Sequence, residues 1–293
     1  MKKISVGLLS YSRTDLLIET LKQIRSDKFQ VTVYLLNNNP DFCILDAVEP
    51  HICKGVTLKY FWFNKNLGVA QGRRKLIELC SERHMILLDD DIYVTDFSAI
   101  CSRVDDEFSD AKVGGIAFHI LDHGKGKANR FEIPHKNKKF NLNESQDTYL
   151  MIGAGHAVDV NIARNAGNYP DDFGLYGFEE VDLSFRIINA GYKIRYLHNC
   201  IIEHKKSPDG RFSNKFVNYL AFVNRTRMAK RHLKLYHFVS CYIVRSLFFL
   251  LKTKDVKLFL RASKEIFLDR GKYDKFDMVF YRYISKCNGF IWY

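Results

Sequence analysis

Several features are scarce or missing in this sequence of 293 residues, and each absence excludes something. The seven cysteines are odd in number and scattered, with no C-x-x-C pair. That pattern argues against a disulfide framework or a cysteine-based zinc site and fits a reducing compartment. No run of about 18 uninterrupted apolar residues occurs, so a membrane-spanning helix is not expected. The opening MKKISVGLLSYSR has basic residues but neither the h-region nor the small-residue cleavage site of a signal peptide. It reads as a first strand, and a cytoplasmic location is expected, with attachment to the inner face of the cell membrane as a further option. There is no internal repeat and no low-complexity tract.

What is present is a globular composition, 47% hydrophobic and 27% charged, with an unusual formal charge of +12 and a pI near 9.3. Such a charge suits a polyanionic partner: nucleic acid, an anionic membrane or a phosphate-rich ligand. The apolar runs ISVGLL (4–9), VTVYLL (31–36), VTLKYFWF (56–63) and MILL (85–88) read as buried strands. Helical patterns separate them at 14–26, with Ser12 and Asp15 at capping-box spacing, and at 69–82. Continuous apolar strands alternating with helices predict a mostly parallel sheet covered on both faces. Further strands are expected at 113–118, within 148–160, at 193–197 and at 200–204, with a long loop or hairpin over 122–147. A helix over 177–192 closes at Gly191. From about 213 the composition turns to Lys, Arg and aromatics in helical patterns.

In parallel sheets, ligands bind beyond the carboxyl ends of the strands. The polar clusters SYSR, NNNPD, NKN and DDD all stand at such ends. Asp89, Asp90 and Asp91 repel one another unless a cation is present, and hard divalent ions combine a few carboxylates with substrate phosphate. Asp89 and Asp91, two apart on an extended chain, point the same way. Asp90 points to the other face, away from the metal. The bland alternative is a solvated turn. In GFEEVDLSFR a Glu pair opens a helix, where it either serves the helix dipole or takes a proton from a hydroxyl nucleophile. His204, at the end of an apolar strand, is either a structural imidazole or a ligand for an ion such as manganese. In NKNLGVAQGRR, Arg73 lies in the first turns of a helix, and its planar donors suit phosphate.

The order and spacing of these stretches resemble the family 2 glycosyltransferases, which have the GT-A fold, over roughly residues 3–210. ISVGLLSYSR resembles the family's opening strand and nucleotide-contacting turn, and YLLNNNPD its second strand and Asp-Asn-containing end. NLGVAQGRR resembles its Asn-x-Gly-x-x-x-x-Arg stretch, and LLDDD its Asp-x-Asp motif. GFEEVDLSFR is similar to the Glu-Asp motif with its following Asp-Leu-x-x-Arg, and His204 to the late metal-binding His. The resemblance implies an α/β fold of GT-A type, with a mostly parallel Rossmann-like sheet, helices on both faces and a C-terminal helical appendage. It divides the chain into a catalytic domain at 1–212, with its nucleotide half at about 1–95 and its donor-sugar and acceptor half at about 96–212, and a helical region at 213–293.

The implied reaction is inverting transfer of a sugar from a nucleoside diphosphate, UDP favoured over dTDP, to a glycan or lipid-linked acceptor in surface polysaccharide synthesis. Asp91, Asp89 and His204 would hold Mn²⁺ or Mg²⁺. Glu180 would be the base, ahead of Glu179, and Asp182 would support the helix start. Ser10, Ser12, Arg13, Asn37, Asn38, Asn66, Arg73, Asp89 and Asp90 would surround the nucleotide. The segment 153–156, with Gly155 and His156, would wall the donor sugar, and 205–211 would act as a lid. Two positions depart from the pattern. Asn37 replaces the usual Asp at the end of strand two, with Asp41 as a substitute, and Glu180 stands one methylene longer than the usual Asp.

Two other classes compete. A nucleic-acid-binding protein would use the positive charge, but no recognised binding motif is visible, and unmetallated carboxylates would repel phosphate. A nucleotidyltransferase would need a Gly-rich loop after strand one, and LSYSRT has no glycine. The basic, aromatic stretch at 222–252 has the composition of an interfacial helix on anionic lipid, and equally of a structural cap or a homodimer interface.

Overall fold

The computed structural model describes residues 1–207 and 213–291. The elements run β1 (Lys2–Ser10), α1 (Thr14–Leu21), β2 (Phe29–Asn37), α2 (Leu45–Val48), β3 (Val56–Trp62), α3 (Gly68–Leu79) and β4 (His84–Asp89). Then follow β5 (Ile92–Tyr93), α4 (Phe97–Glu107), β6 (Val113–Asp122), β7 (Gln146–Thr148), β8 (Gly155–Asp159), α5 (Val160–Asn165), α6 (Glu179–Asn189) and β9 (Lys193–His204). Four helices close the chain: α7 (Asn214–His232), α8 (Leu235–Thr253), α9 (Val256–Phe267) and α10 (Met278–Lys286).

Among the described residues, nine strands form one sheet in the order β3-β2-β1-β4-β8-β6-β9-β5, with β7 paired to β9. The first four strands are parallel. β8 runs antiparallel between β4 and β6, and β9 is again parallel to β6. Successive side chains on the central strands go to opposite cores. On β4, Met85 and Leu87 join one core, while Ile86 and Leu88 join the other. A period of two with both faces buried is why these strands read as unbroken apolar runs.

The helical region shares the first of these cores. Phe222, Val223, Phe249 and Phe280 are buried together with Tyr149 and Phe185. The C-terminal helices therefore cover one face of the sheet as a continuation of its core.

The local differences from expectation have identifiable causes. α1 ends at Leu21 rather than 26, and its N-cap is Arg13, with no side-chain cap bond. Ser12 and Asp15 do not form the expected box. The two short strands expected over 193–204 are one strand, β9, whose pairing with β6 skips register between Phe118↔Leu197 and His119↔Ile201. That bulge is what the sequence displays as a polar interruption at His198 and Asn199. Of the proposed lid 205–211, residues 208–211 lie outside the described residues.

Candidate active site

β4 delivers Asp89 at its end, and the chain turns immediately into the two-residue strand β5. There Ile92 pairs with His204 at the end of β9. This short antiparallel pairing joins residues far apart in sequence and sets Asp91 against His204. One ligand atom each from Asp89, Asp91 and His204 lies within 4.8 Å of the others. Oδ1 of Asp91 is buried, sits 3.2 Å from Nε2 of His204 and has no hydrogen bond of ordinary geometry. A buried carboxylate oxygen facing an imidazole, in a set of two carboxylates and that imidazole, fits a divalent ion such as Mn²⁺ or Mg²⁺.

The cluster is held from several sides. Arg13 donates from Nη1 to Asp91 Oδ2 at 2.7 Å and pairs through Nη2 with Asp90. The backbone N–H of Ser207 donates to Asp91 Oδ2 at 3.1 Å. Burial opposes the charge on Asp91, but His204 and Arg13 outweigh it and hold its pKa below the ordinary value. His204 bonds Glu132 through Nδ1. Burial would lower the pKa of the imidazole, yet Asp91 and Glu132 push it up to about 10. Without a cation, then, a proton takes the place of positive charge between the two carboxylates. Burial drives the Asp90 pKa up to about 7 against the pull of Arg13.

A second cluster opens α6. Gly177 and Phe178 both have positive φ, 100° and 72°. Glycine accepts this freely, whereas a phenylalanine there is uncommon and marks a constrained turn. Asn224 of α7 fixes the turn by donating its amide to the carbonyls of Phe173, Tyr176 and Gly177 at 2.7–3.1 Å. The turn presents Glu179 and Glu180 on the first turn of the helix. Glu179 is buried and its Oε1 accepts from Arg73 Nη1 at 2.8 Å, while its Oε2 has no hydrogen bond. Glu180 keeps part of its side chain at the surface, but its surroundings are dense. Burial first, and Glu179 second, raise its pKa well above the usual carboxylate range.

Arg73 joins the two clusters. Its Nη2 donates to Asp89 Oδ1 at 2.9 Å and to the Gly153 carbonyl at 2.8 Å. Burial disfavours its charge, but Asp89 and Glu179 more than compensate and keep it protonated. A Cβ at Gly153 would lie 3.1 Å from the guanidinium, so the bare backbone there lets the arginine in.

Several expected nucleotide contacts sit elsewhere. Arg73 is 5% exposed and occupied by Asp89, Glu179 and Gly153, which corrects its reading as a phosphate ligand. Asn37 is fully buried. Its amide donates to the Phe42 carbonyl and the Tyr60 hydroxyl, and its oxygen accepts from Asn39 N–H. Asn38 donates to the Gly68 carbonyl, and Asn66 accepts from Gly68 N–H. These amides pin the loop after β2 to the start of α3, and the burial of Asn37 and Asn38 corrects their reading as residues around the nucleotide, while Asn66 is half-buried. His156 is fully buried, with Nδ1 on the Ile152 carbonyl and Nε2 on the Tyr169 hydroxyl. Burial, then Arg73, lowers its pKa to about 3. It braces the core rather than walling a sugar. Gly155 is likewise a packing residue, since a Cβ there would meet Ile202 Cδ1 at 2.1 Å. Ser10 is buried, Ser12 is exposed and Arg13, at the start of α1, is half-buried. Asp182 ties α6 to itself and to α7 through Arg186 Nε at 2.8 Å and His232 at 3.4 Å.

Glu132 had no signal in the sequence. It stands on a single turn within the long loop after β6, yet it reaches His204 and Lys206, and nothing periodic around it points there.

With this geometry in place, the fold is the GT-A fold seen in solved glycosyltransferases. A mannosyltransferase from Pyrobaculum calidifontis, solved with GDP-Man and Mn²⁺, superposes with a TM-score of 0.58 at 12% identity, covering 90% of this chain and 70% of that one. GalNAc-T7, solved with UDP, GalNAc and Mn²⁺, gives 0.65 at 14% identity, covering 98% of this chain and 57% of that one. No protein-family model matches the chain. The chain belongs to one family with an uncharacterized protein of Haemophilus influenzae, 35% identical over 174 residues, which are 57% of this chain and 92% of that protein.

Proposed function

We propose that the protein is a metal-dependent, inverting glycosyltransferase. It would move a sugar from a nucleoside diphosphate, with UDP- and dTDP-sugars as first candidates, to a hydroxyl of a glycan or lipid-linked acceptor in surface polysaccharide synthesis. The observation that carries this reading is the meeting of Asp89, Asp91 and His204 at the strand ends, linked through buried Arg73 to the Glu179–Glu180 turn.

Asp89, Asp91 and His204 would hold the cation, which when bound neutralises charge on the leaving diphosphate. Arg13 flanks the same diphosphate side. Arg73 fixes the separation between the donor end and the base. Glu180 in its ionised form, with a raised proton affinity, would take the proton of the acceptor hydroxyl as that oxygen bonds to the anomeric carbon. The bond from that carbon to the diphosphate oxygen breaks on the opposite face. Glu179, neutralised by Arg73, would keep Glu180 in place and help raise its proton affinity.

The test is binding and nucleotide release with a panel of sugar nucleotides in Mn²⁺, with and without chelator. At least one donor should bind and be turned over only with metal. A panel with no metal-dependent binding or release would overturn the proposal.

A further inference from the structure

The helical region places two 19-residue helices side by side with opposite environments. α7 is largely buried. α8 is long and apolar enough to cross a membrane by length and composition, yet only 17% of its most apolar window is buried. Leu235, Val239, Ile243, Leu247 and Leu251 recur every four residues and are 44–77% exposed. Tyr236, Val244 and Phe248 widen this stripe and are also exposed. Between Leu235 and Leu251 the one charged side chain is Arg245, half-buried beside Phe248. Exposed Lys234 precedes it, and exposed Lys252 and Lys254 follow it. Val256 and Leu260, one turn apart on α9, are exposed in the same manner. An apolar surface of this length on a soluble domain marks an interaction site.

The charge distribution says what covers it. Residues 213–293 carry 17 Lys and Arg against five Asp and Glu, while residues 1–212 carry 28 of each. The whole formal charge of +12 thus belongs to the helical region. A second copy docking through α8 would bring two such surfaces together and repel. An anionic lipid surface would attract them.

The helix is also fixed against the rest of the domain. Its inner face is built into the core, with Phe249 stacked on Phe222 at 5.2 Å and Phe238 edge-on to Phe267 at 6.2 Å. Arg245 stands midway along it, beside Arg225, Phe178 and Phe248 around a cavity of about 30 Å³. Crossing a bilayer would strip these contacts and take the arginine into hydrocarbon. Lying flat needs neither.

We propose that α8 docks the protein on an anionic bilayer, with the stripe in the acyl boundary and the flanking lysines at the headgroups. Phe178 immediately precedes Glu179 and shares the cavity with Phe248 of the stripe, so the docked face lies next to the proposed base. For the acceptor, and resting on the transferase reading, this points to a hydroxyl on a lipid-anchored glycan.

Flotation of the full chain with vesicles of phosphatidylcholine, with and without phosphatidylglycerol, tests it. Binding should require the anionic lipid and fall with salt. I243D/L247D and, separately, K252E/K254E should each bind about tenfold or more weakly. Both variants should keep the thermal stability of the parent, because the altered side chains are exposed. Binding unaffected by both variants, or a dimer that I243D/L247D dissociates without any vesicle binding by the parent, would overturn the proposal. Mn²⁺-dependent nucleotide binding by the same preparations keeps the two readings separate. A chain that floats but binds no nucleotide fails only as a transferase, and one that binds nucleotide but never floats fails only as a membrane-docked protein.

Discussion

The two acidic clusters are built from the same chemistry and handle charge in opposite ways. In the first, every carboxylate has a cation: Arg73 for Asp89, Arg13 for Asp90, and Arg13 with His204 for Asp91. In the second, Arg73 pairs with Glu179, and Glu180 has no ion pair among the described residues. Asp91 is therefore held ionised despite its burial, whereas Glu180 has its pKa raised. Separating the proton affinities of nearby acids is how one site divides its labour, with one carboxylate kept for a cation and the other for a proton. Arg73 makes the division geometric, because one guanidinium spans both clusters.

The most damaging way to break the comparison is Asp91→Asn. It removes the carboxylate held by His204, Arg13 and Ser207. A cation stabilises a departing diphosphate by several kcal/mol, so turnover should fall by about ten-thousandfold. Mn²⁺ titration by calorimetry should show the metal affinity lost with it. Turnover within tenfold of the parent would mean that Asp91 is not a ligand.

Glu180→Gln comes next. Loss of a general base typically costs a hundredfold to ten-thousandfold, and donor binding should persist. The sign of the stability change is a separate check. A carboxyl whose folded-state pKa is raised is held neutral by the fold, and its ionisation costs stability progressively as pH rises above the unfolded value. Glutamine removes that cost. The variant should therefore match the parent near pH 4 and melt higher than it near pH 8, by ~1 kcal/mol or a few degrees. For the parent, kcat/KM should climb with pH beyond the range in which an ordinary glutamate is already ionised. A flat profile there, with turnover retained in the variant, would move the base to Glu179.

Much of this site was legible because strand ends advertise themselves. The apolar runs fix where β1, β2 and β4 stop, and the polar clusters after them gather at one edge of the sheet. GFEE announces a helix start, and its two carboxylates do open α6. What the sequence hides is how each polar group is used. Arg73, Asn37, Asn38 and His156 have suitable chemistry for ligands, yet the fold consumes them in buried hydrogen bonds, because no buried amide, imidazole or guanidinium can be left unpaired cheaply. Glu132 is hidden for the opposite reason. Its contact with His204 spans 72 residues and depends on how the long loop folds back. The exposure of α8 beside the burial of α7 was equally invisible, since both stretches are basic and aromatic and only packing tells them apart.

Glu132→Gln sharpens the first cluster from outside. The carboxylate bonds His204 through Nδ1 and faces Lys206 at 2.7 Å. An outer carboxylate of this kind orients the imidazole and raises its basicity, and losing it typically weakens metal binding by about 10- to 100-fold. Mn²⁺ affinity should fall by that amount, while nucleotide affinity at saturating metal stays within about threefold. An unchanged Mn²⁺ affinity would reduce Glu132 to a structural partner of Lys206.

The smallest effect is expected inside the aspartate triplet itself. Asp90 is 2% exposed and is not part of the Asp89–Asp91–His204 cluster. Its side chain takes Arg13, and its carbonyl accepts from the Thr20 hydroxyl at 3.0 Å. Asparagine at this position keeps the shape and still offers an oxygen to Arg13, and Arg13 retains Asp91. Asp90→Asn should therefore change Mn²⁺ affinity by less than about threefold, a difference of under ~1 kcal/mol, where Asp89→Asn and Asp91→Asn remove ligands outright. Three adjacent, chemically identical substitutions would then separate by which way each side chain points. If Asp90→Asn matched its neighbours, alternation along the strand end would not be what selects the ligands.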